Sequence, residues 1–270
     1  DPSSGAHSDL LPSISGLTKP GFSAAPQRLR KPEVGEIVAS RYHINRILGE
    51  GGMGTVYEVT HVKLDKKFAL KVPHAEHTKS DRDKQRFFQE ARFVSSLSHR
   101  NIVTIVDFGE DPDFGLFMVI EYLEGEPLGD ALRKHEKMPL KRAFDLIQQV
   151  SEGLAYIHQR DIVHCDIKTH NIFLCSELHG KQRRTLVKLL DFGLVQSIEF
   201  QGTKRRKRLV EGTPGYMSTE QILSPETVDA RTDLYALGCV GYFMLTGRQP
   251  YRGGSPFEIM QAQIDSRPAP

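Results

Sequence analysis

Apolar and polar side chains alternate over several short runs that follow about residue 40 of the chain. Residues 56–60 alternate and are rich in β-branched side chains, and residues 68–72 repeat this pattern after a turn near residues 63–67. Such alternation is typical of strands, and the short turn between the two runs predicts a hairpin. The first part of the chain is therefore expected to form an antiparallel sheet.

Other segments show a helical period. Residues 80–97 place Phe87, Ala91 and Val94 on one stripe, and Ser80 with Asp83 predicts an N-terminal cap. Residues 232–246 are apolar on nearly all sides, which predicts a buried helix that Gly247 would end. Residues 255–258 (Ser-Pro-Phe-Glu) open another helix, with a capping box and a proline in its first turn.

A glycine-rich segment lies between the first two predicted strands. Gly49, Gly51 and Gly54 follow the spacing G-x-G-x-x-G, with a further glycine at Gly52 and Val56 two residues after the last. Glycines let backbone amides approach phosphate groups closely. The same spacing marks dinucleotide sites when a helix follows, but a strand follows here, which disfavours a Rossmann fold.

Residues 164–171 (His-Cys-Asp-Ile-Lys-Thr-His-Asn) combine an acid, a cation and an amide in one short loop. Phosphoryl transfer uses such a trio: a carboxylate orients the attacking hydroxyl, a cation meets the phosphate, and a side-chain oxygen holds a metal ion. Asp166, Lys168 and Asn171 could fill these roles. Taken alone, the loop could equally be an ordinary turn held by side-chain hydrogen bonds.

Three further charged residues flank these motifs. Lys71 stands in the strand after the glycine segment, and Glu90 borders the apolar stripe of the next helix, where it is expected to pair with Lys71. Lysine and glutamate are usually solvated surface residues, so the predicted pairing rests only on where Lys71 and Glu90 stand relative to the glycine segment and the apolar stripe. Asp191 ends a later strand and would supply a second metal ligand.

In this order, the motifs resemble the protein kinase family, and specifically the eukaryotic-like serine/threonine kinases of bacteria. The resemblance runs from about residue 41 to the end and includes the triplet Asp191-Phe192-Gly193 and residues 212–220 (Gly-Thr-Pro-Gly-Tyr-Met-Ser-Thr-Glu). It implies an α+β, two-lobed kinase fold, with a small antiparallel β-sheet N-lobe that carries one helix and a mainly helical C-lobe. The N-lobe would span about residues 41–120, the hinge about 121–125 and the C-lobe about 126–270.

The resemblance also implies roles for individual residues. Catalysis would depend on Asp166, Lys168, Lys71 and Glu90, and Asn171 and Asp191 would hold Mg²⁺, which Mn²⁺ could replace. ATP would contact Gly49, Gly51, Gly52, Gly54, Val56, Ala69, Lys71, Glu121, Leu123 and Phe173, with Ile120 as gatekeeper. Val94, Val106, Phe192 and His164 would stack into a spine that joins the lobes. For the apolar members, simple core packing is the alternative.

The chain departs from the family pattern at three places. Cys165 replaces the usual arginine before the catalytic aspartate, which puts control by a phosphorylated activation segment in doubt. Residues 218–220 (Ser-Thr-Glu) replace Ala-Pro-Glu. The sequence stops at residue 270, before the last C-lobe helices of a usual member, so we expect an excerpt or a natural truncation.

Composition agrees with a globular catalytic domain: 39% of residues are hydrophobic, 26% are charged, and the net charge is +2. Residues 1–35 are rich in Pro, Ser, Gly and Ala and are expected to form a flexible leader. No signal peptide or membrane-spanning stretch is evident, and three cysteines without a metal-binding pattern indicate reduced thiols. This segment is therefore expected to be cytoplasmic, although missing regions could anchor the full protein to a membrane.

Partners follow from the same considerations. Lys168 and Thr213 resemble the serine/threonine-specific pattern, so protein substrates with Ser or Thr acceptors are expected. Residues 204–208 (Lys-Arg-Arg-Lys-Arg) favour a solvated activation segment, or one that pairs with acidic groups, over a nucleic-acid surface. A dimer could serve autophosphorylation.

Two functions remain open at this point: an active ATP-dependent kinase, and a pseudokinase that binds nucleotide or partners without turnover. The presence of every polar catalytic residue favours the kinase. A small-molecule phosphotransferase of the aminoglycoside type would not be expected to carry Lys168 or residues 212–220.

Overall fold

The alternating segments form one antiparallel sheet of six strands. The computed structural model describes residues 29–52, 54–78, 80–134, 137–179, 182–191, 196–197 and 212–268. The strands are β1 (Ile37–Val38), β2 (Tyr42–Gly51), β3 (Gly54–His61), β4 (Lys66–Pro73), β5 (Ile105–Asp111) and β6 (Gly115–Glu121), in the spatial order β1-β2-β3-β4-β6-β5. The predicted hairpin is confirmed, because β3 pairs with β4 and places Val56 opposite Lys71.

One helix, α1 (Asp81–Ser95), connects β4 to β5. The predicted cap is confirmed: the Asp83 backbone N–H donates to Ser80 Oγ at 3.1 Å, and the Ser80 backbone N–H donates to the Asp83 carboxylate at 3.2 Å. Ala91 and Val94 are buried, so the predicted stripe faces the protein core. The cap determines where α1 begins, and the apolar stripe determines which of its faces turns inward.

The second lobe is mainly helical. Its helices are α2 (Leu128–Lys134), α3 (Leu140–His158), α4 (Thr219–Leu223), α5 (Ala230–Thr246) and α6 (Pro256–Asp265). Helix α5 is the predicted buried helix, and Gly247, with φ of 73°, ends it in the left-handed conformation that glycine adopts most easily. The capping box predicted for α6 is only half formed, because the Glu258 carboxylate accepts from the Gly254 N–H at 2.6 Å instead of from Ser255.

Short strands position the loops between the lobes. Strands β7 (Gly125–Pro127), β9 (Ile172–His179) and β10 (Gln182–Leu189) form a three-stranded sheet, while β8 (Ile162–Val163) pairs with β11 (Gln196–Ser197). Backbone bonds from Val103 N to Leu189 O and from Leu189 N to Asn101 O tie the segment before β5 to β10. The loop that carries Asp166 therefore begins at β8 and ends at β9.

The predicted two-lobed α+β fold is confirmed, but the burial predicted for one residue, Val106, is wrong. Val106 was expected in the spine between the lobes, yet it is 45% exposed. The pairing of β5 with β6 shifts by one residue between Ile105 and Asp107, and such a bulge turns the extra side chain away from the face that alternation predicts.

Several predictions fall on residues outside the described ranges. These are most of the leader, the residues Phe192 and Gly193 of the Asp191 triplet, and the basic run at 204–208. Within the described ranges, no helix combines the length and the apolar character needed to cross a membrane.

Candidate active site

Four polar side chains converge on the loop that precedes β9. The Asp166 carboxylate is 9% exposed, and Lys168 Nζ donates to its Oδ2 at 2.7 Å. Asn171 Nδ2 donates to the same oxygen at 3.0 Å, and Thr213 Oγ1 donates to Oδ1 at 2.9 Å. Lys168 also donates to Thr213 at 3.0 Å. The acid, the cation and the amide predicted from the sequence are thus held together in one cluster.

A buried carboxylate at the start of α5 holds the backbone of this loop. Asp233 is fully buried and accepts from the backbone N–H groups of His164 and Cys165, each at 2.9 Å. It also lies 2.8 Å from His158 Nε2. Cys165 has φ of 64°, an unfavourable conformation for a residue with a side chain, so these bonds stabilise a strained turn. Sequence reasoning missed this role, although a lone acid in an apolar helix is a signal for it.

The strand lysine and the aspartate after β10 meet across the cleft between the lobes. Lys71 Nζ donates to the Asp191 carboxylate, whose side chain is 49% exposed. Desolvation inside the cleft would raise the pKa of Asp191, but the charge and hydrogen bond of Lys71, together with other nearby groups, outweigh it, and the net pKa lies below the usual value. Lys168 and His164 act in the same direction as Lys71. Asp191 is therefore a carboxylate that stays ionised near neutral pH.

The expected pairing of Lys71 with Glu90 is not present in this structure. Lys71 pairs with Asp191, while Glu90 accepts from Arg86 Nε at 2.8 Å. Arg86 precedes Glu90 by four residues on the same helix, which brings the two side chains together on one face of α1. The local helical neighbour has thus replaced the distant strand partner that the sequence predicts.

The glycine segment forms the turn between β2 and β3. A Cβ atom at Gly54 would lie 2.4 Å from the Val72 carbonyl oxygen, so packing against β4 requires glycine there. A Cβ at Gly49, Gly51 or Gly52 would meet no atom within 4 Å. Packing does not explain these three glycines, and an open backbone is what a bound phosphate needs.

Three of the residues predicted to contact adenine, Ala69, Leu123 and Phe173, are buried or partly buried. Ala69 lies opposite Ile120 in the sheet. The Glu121 backbone N–H donates to the Thr104 carbonyl at 3.0 Å, so it is already engaged within the small lobe. The Glu121 carboxylate accepts from Lys188 Nζ at 2.7 Å, which links the hinge to β10.

Two side chains fit the chemistry of a magnesium site. The Asn171 amide nitrogen donates to the Asp166 backbone oxygen at 2.8 Å and to the Asp166 carboxylate. Its side-chain carbonyl oxygen can therefore act as a metal ligand. Asp191 contributes a carboxylate that stays ionised. Mg²⁺ is typically held by one or two such oxygen ligands together with phosphate and water. The donor set therefore fits the ion that the resemblance implies.

Comparison with known proteins agrees with this arrangement. The family model described as protein kinase domain matches residues 42–269. The serine/threonine-protein kinase pkn2 of Myxococcus xanthus is 39% identical over 87% of this chain and 28% of its own length. PksC of Streptomyces coelicolor is 35% identical over 86% of the chain and 42% of its own length, and PknA of Corynebacterium glutamicum is 33% identical over 88% and 50%.

The chain spans between about a quarter and a half of the lengths of these three relatives. The family match nevertheless covers both lobes and every residue of the cluster around Asp166. Together with the two-lobed fold and the geometry of the cleft, it shows that this chain belongs to the protein kinase family and resembles the eukaryotic-like serine/threonine kinases of bacteria.

Proposed function

We propose that this domain transfers the γ-phosphoryl group of ATP to serine or threonine hydroxyls of proteins. The observation that carries the proposal is the Asp166 carboxylate, which is nearly buried and held on both oxygens by Lys168, Asn171 and Thr213. A carboxylate fixed in this way can accept a hydrogen bond from an acceptor hydroxyl and orient its oxygen for attack. A nucleotide-binding module without turnover would not need this arrangement.

The neighbouring side chains divide the remaining work. Lys168 lies 2.7 Å from Asp166, close enough to stabilise the negative charge that accompanies transfer beside the acceptor. Thr213 forms hydrogen bonds with both Asp166 and Lys168 and so holds their side chains in fixed relative positions. Asp166 takes the hydroxyl proton as the oxygen–phosphorus bond forms, which neutralises its carboxylate, while Lys168 stays protonated and faces the negative charge of the transferring phosphoryl group.

The phosphate end of the nucleotide is assigned to the small lobe. The glycine turn, where Gly49, Gly51 and Gly52 carry no side chain to obstruct a ligand, would contact the phosphates, and Lys71 would exchange its bond to Asp191 for a phosphate oxygen. Asp191 and Asn171 would then hold Mg²⁺, which supplies charge neutralisation on the phosphates, a role that Mn²⁺ could also fill. Val56, Ala69, Glu121, Leu123 and Phe173 would contact the adenine.

Turnover also requires Glu90 to approach Lys71, as the family's mechanism implies. Since Glu90 pairs with Arg86 here, we infer that α1 must move or that its side chains must change partners before transfer. The finer expectations belong to the same proposal: a cytoplasmic location for this segment, protein substrates that include a second copy of the chain, and a dimer during autophosphorylation.

The decisive variant is Asp166→Asn, which preserves the size of the side chain but removes its charge. We expect turnover to fall by about 10²-fold or more, the scale of acid–base catalysis, while nucleotide affinity changes little because Asp166 faces the acceptor. Radiolabelled ATP with a serine/threonine peptide measures turnover, and fluorescent nucleotide titration measures binding.

Asp161→Asn is the matched control, because this exposed residue directly before β8 has φ of 56°, a conformation that asparagine tolerates. Equal loss of binding and turnover in Asp166→Asn would show that the loop is only structural. Full activity of that variant would also contradict the proposed role.

A further inference from the structure

A cluster of charged and aromatic side chains lies in the small lobe, outside the catalytic loop, with Glu58 of β3 at its centre. Glu58 is only 5% exposed, although glutamate is rarely buried unless it is paired. Its carboxylate accepts from Arg46 Nε at 2.8 Å and from the Tyr122 hydroxyl at 3.1 Å, and it lies 2.9 Å from Lys67 Nζ. These four residues form the Glu58 cluster, to which the proposed phosphoryl transfer assigns no role.

The members of the Glu58 cluster also contact one another. Arg46 Nη2 donates to the Tyr122 hydroxyl at 3.3 Å, and Lys67 Nζ lies 5.7 Å from the centre of the Tyr122 ring, a distance at which cations and aromatic rings attract. The hydrogen bond from Lys67 is the largest cause that holds the pKa of Glu58 below its ordinary value. Arg46 and Tyr122 act in the same direction, whereas desolvation opposes them. The Glu58 carboxylate therefore stays ionised near neutral pH, and the loss of a donor would leave a nearly buried charge less well satisfied.

The Glu58 cluster borders the face of the sheet that is assigned to adenine. Glu58 follows Val56 by two residues on β3 and stands directly opposite Ala69 on β4. Side chains two residues apart on a strand, and those directly opposite in an antiparallel pair, point to one face, so these three side chains share a face. Val56 and Ala69 are proposed to contact the adenine. The Glu58 cluster therefore lies next to the base end of the nucleotide cleft.

Tyr122 is the member of the cluster that lies outside the sheet. The other three members belong to β2, β3 and β4, whereas Tyr122 follows β6 in the predicted hinge, between Glu121 and Leu123. The ladder between β4 and β6 ends at the pair Phe68 and Glu121, so Tyr122 is the first residue that pairing with β4 no longer holds. Its hydroxyl bond to Glu58 replaces that pairing and ties the start of the hinge to β3.

We propose that Tyr122, held by Glu58, is a positioning residue for the adenine of ATP. It fixes the hinge backbone relative to Val56 and Ala69, so that one edge and one face of the base meet groups at a set distance. This role deepens the proposed function and rests on it, because the adenine site belongs to that proposal. Exposed ion pairs contribute little, but the Glu58 carboxylate is nearly buried and has three donors, so its contacts are strong enough to hold the hinge.

Tyr122→Phe tests this role, because it keeps the aromatic ring beside Lys67 and removes only the hydroxyl. We expect the affinity for ATP to fall about fivefold, the value of one net hydrogen bond, in displacement of a fluorescent ATP analogue from the whole chain. The KM for ATP should rise by the same factor in the peptide assay. The kcat should change by less than about twofold, because other residues hold Asp166, and a purely structural defect would not separate KM from kcat in this way.

Tyr42→Phe is the matched control. The Tyr42 hydroxyl donates to the Asp107 carboxylate at 2.7 Å, and Arg41 Nη2 donates to the same oxygen at 2.7 Å. This network has the same chemistry as the Glu58 cluster and lies in the same lobe, but it joins β2 to β5 instead of reaching the hinge. Tyr42→Phe should therefore leave the affinity for ATP unchanged.

Glu58→Leu tests whether Tyr122 acts through Glu58. Leucine is similar in size and fills the position without an acceptor, so the affinity for ATP should fall at least as much as in Tyr122→Phe. Because the two residues act as a unit, Tyr122→Phe should add nothing in the Glu58→Leu background.

The positioning role is overturned if Tyr122→Phe binds ATP as tightly as the unmodified chain or if Tyr42→Phe weakens ATP binding equally. It is also overturned if Tyr122→Phe still lowers the affinity about fivefold in the Glu58→Leu background. An unmodified chain that binds no ATP would overturn the proposed function as well. Equal ATP binding by the unmodified chain and Tyr122→Phe would overturn only the role of Tyr122.

Discussion

A single side chain, Asp166, organises the catalytic loop. Its two carboxylate oxygens accept hydrogen bonds from Lys168, Asn171 and Thr213. The loop backbone donates in turn to a second buried carboxylate, that of Asp233. Of these donors, Thr213 is separated from Asp166 by more than forty residues, so its contact exists only in the folded chain. The geometry of the acid therefore depends on a segment that lies outside its own loop.

Thr213→Val tests this dependence. Removing the hydroxyl deprives Asp166 and Lys168 of a shared partner, and hydrogen bonds to charged groups contribute about 1.5–3 kcal/mol. We expect kcat to fall by about tenfold or more, with the KM for ATP nearly unchanged, in steady-state assays at varied ATP and peptide concentrations. Thr213→Ser keeps the hydroxyl and should retain most activity. A serine variant as impaired as the valine variant would show that the methyl group, not the hydrogen bond, matters.

At the scale of secondary-structure elements, the placement of α1 determines which cation pairs with Glu90. The helix begins at a confirmed cap and buries Ala91 and Val94, which leaves Glu90 at the edge of the buried stripe beside Arg86. The side chain of Arg86 is 57% exposed, and the pair gains little from burial. A weak local pair therefore competes with the lysine pairing that the family's mechanism requires.

Arg86→Ala should favour the pairing of Glu90 with Lys71, because it removes the competing arginine. Helical pairs four residues apart are worth about 0.2–0.5 kcal/mol, so kcat should rise by no more than about twofold. Arg92→Ala, on the last turn of the same helix, controls for the loss of a positive charge. Glu90→Gln should lower kcat in the same peptide assay. A fall in activity for Arg86→Ala would show instead that Arg86 supports the active position of α1.

At the scale of the whole molecule, charged pairs bridge the two lobes. Lys71 of β4 reaches Asp191 after β10, and Lys188 of β10 reaches Glu121 in the hinge at 2.7 Å. Lys188 Nζ also donates to the Ile102 carbonyl at 3.2 Å. The relative position of the lobes thus depends partly on the ionisation of these side chains. Of the acids in these two pairs, Asp191 has a pKa that the folded structure lowers.

The pH dependence of stability follows from the lowered pKa of Asp191. A carboxyl whose pKa is lower in the folded than in the unfolded chain stabilises the fold above its unfolded pKa of about 3.9. This contribution is lost as the pH falls through the lower, native pKa. We expect Asp191→Asn to flatten the acid limb of the free energy of unfolding, measured by urea denaturation between about pH 3 and 6. Asp145→Asn, at an exposed position of α3, should leave the limb unchanged.

Local sequence patterns predicted most of the elements and the composition of the site. The alternation of residues 56–60 and 68–72, the cap at Ser80 and the glycine at Gly247 each act within a few residues, so the structure follows them directly. The trio of Asp166, Lys168 and Asn171 falls within six residues of chain, which made its convergence predictable. The open glycines of the first turn were identified by spacing for the same reason.

Contacts between distant segments were decided by the tertiary structure alone. A one-residue bulge exposes Val106, the packing of α5 buries Asp233 beneath the catalytic loop, and the placement of α1 gives Glu90 to Arg86 instead of Lys71. The sequence by itself determined the family, the elements and the reacting groups. The fold decided which charges meet, because ion pairs form between whichever groups the packed elements bring within reach.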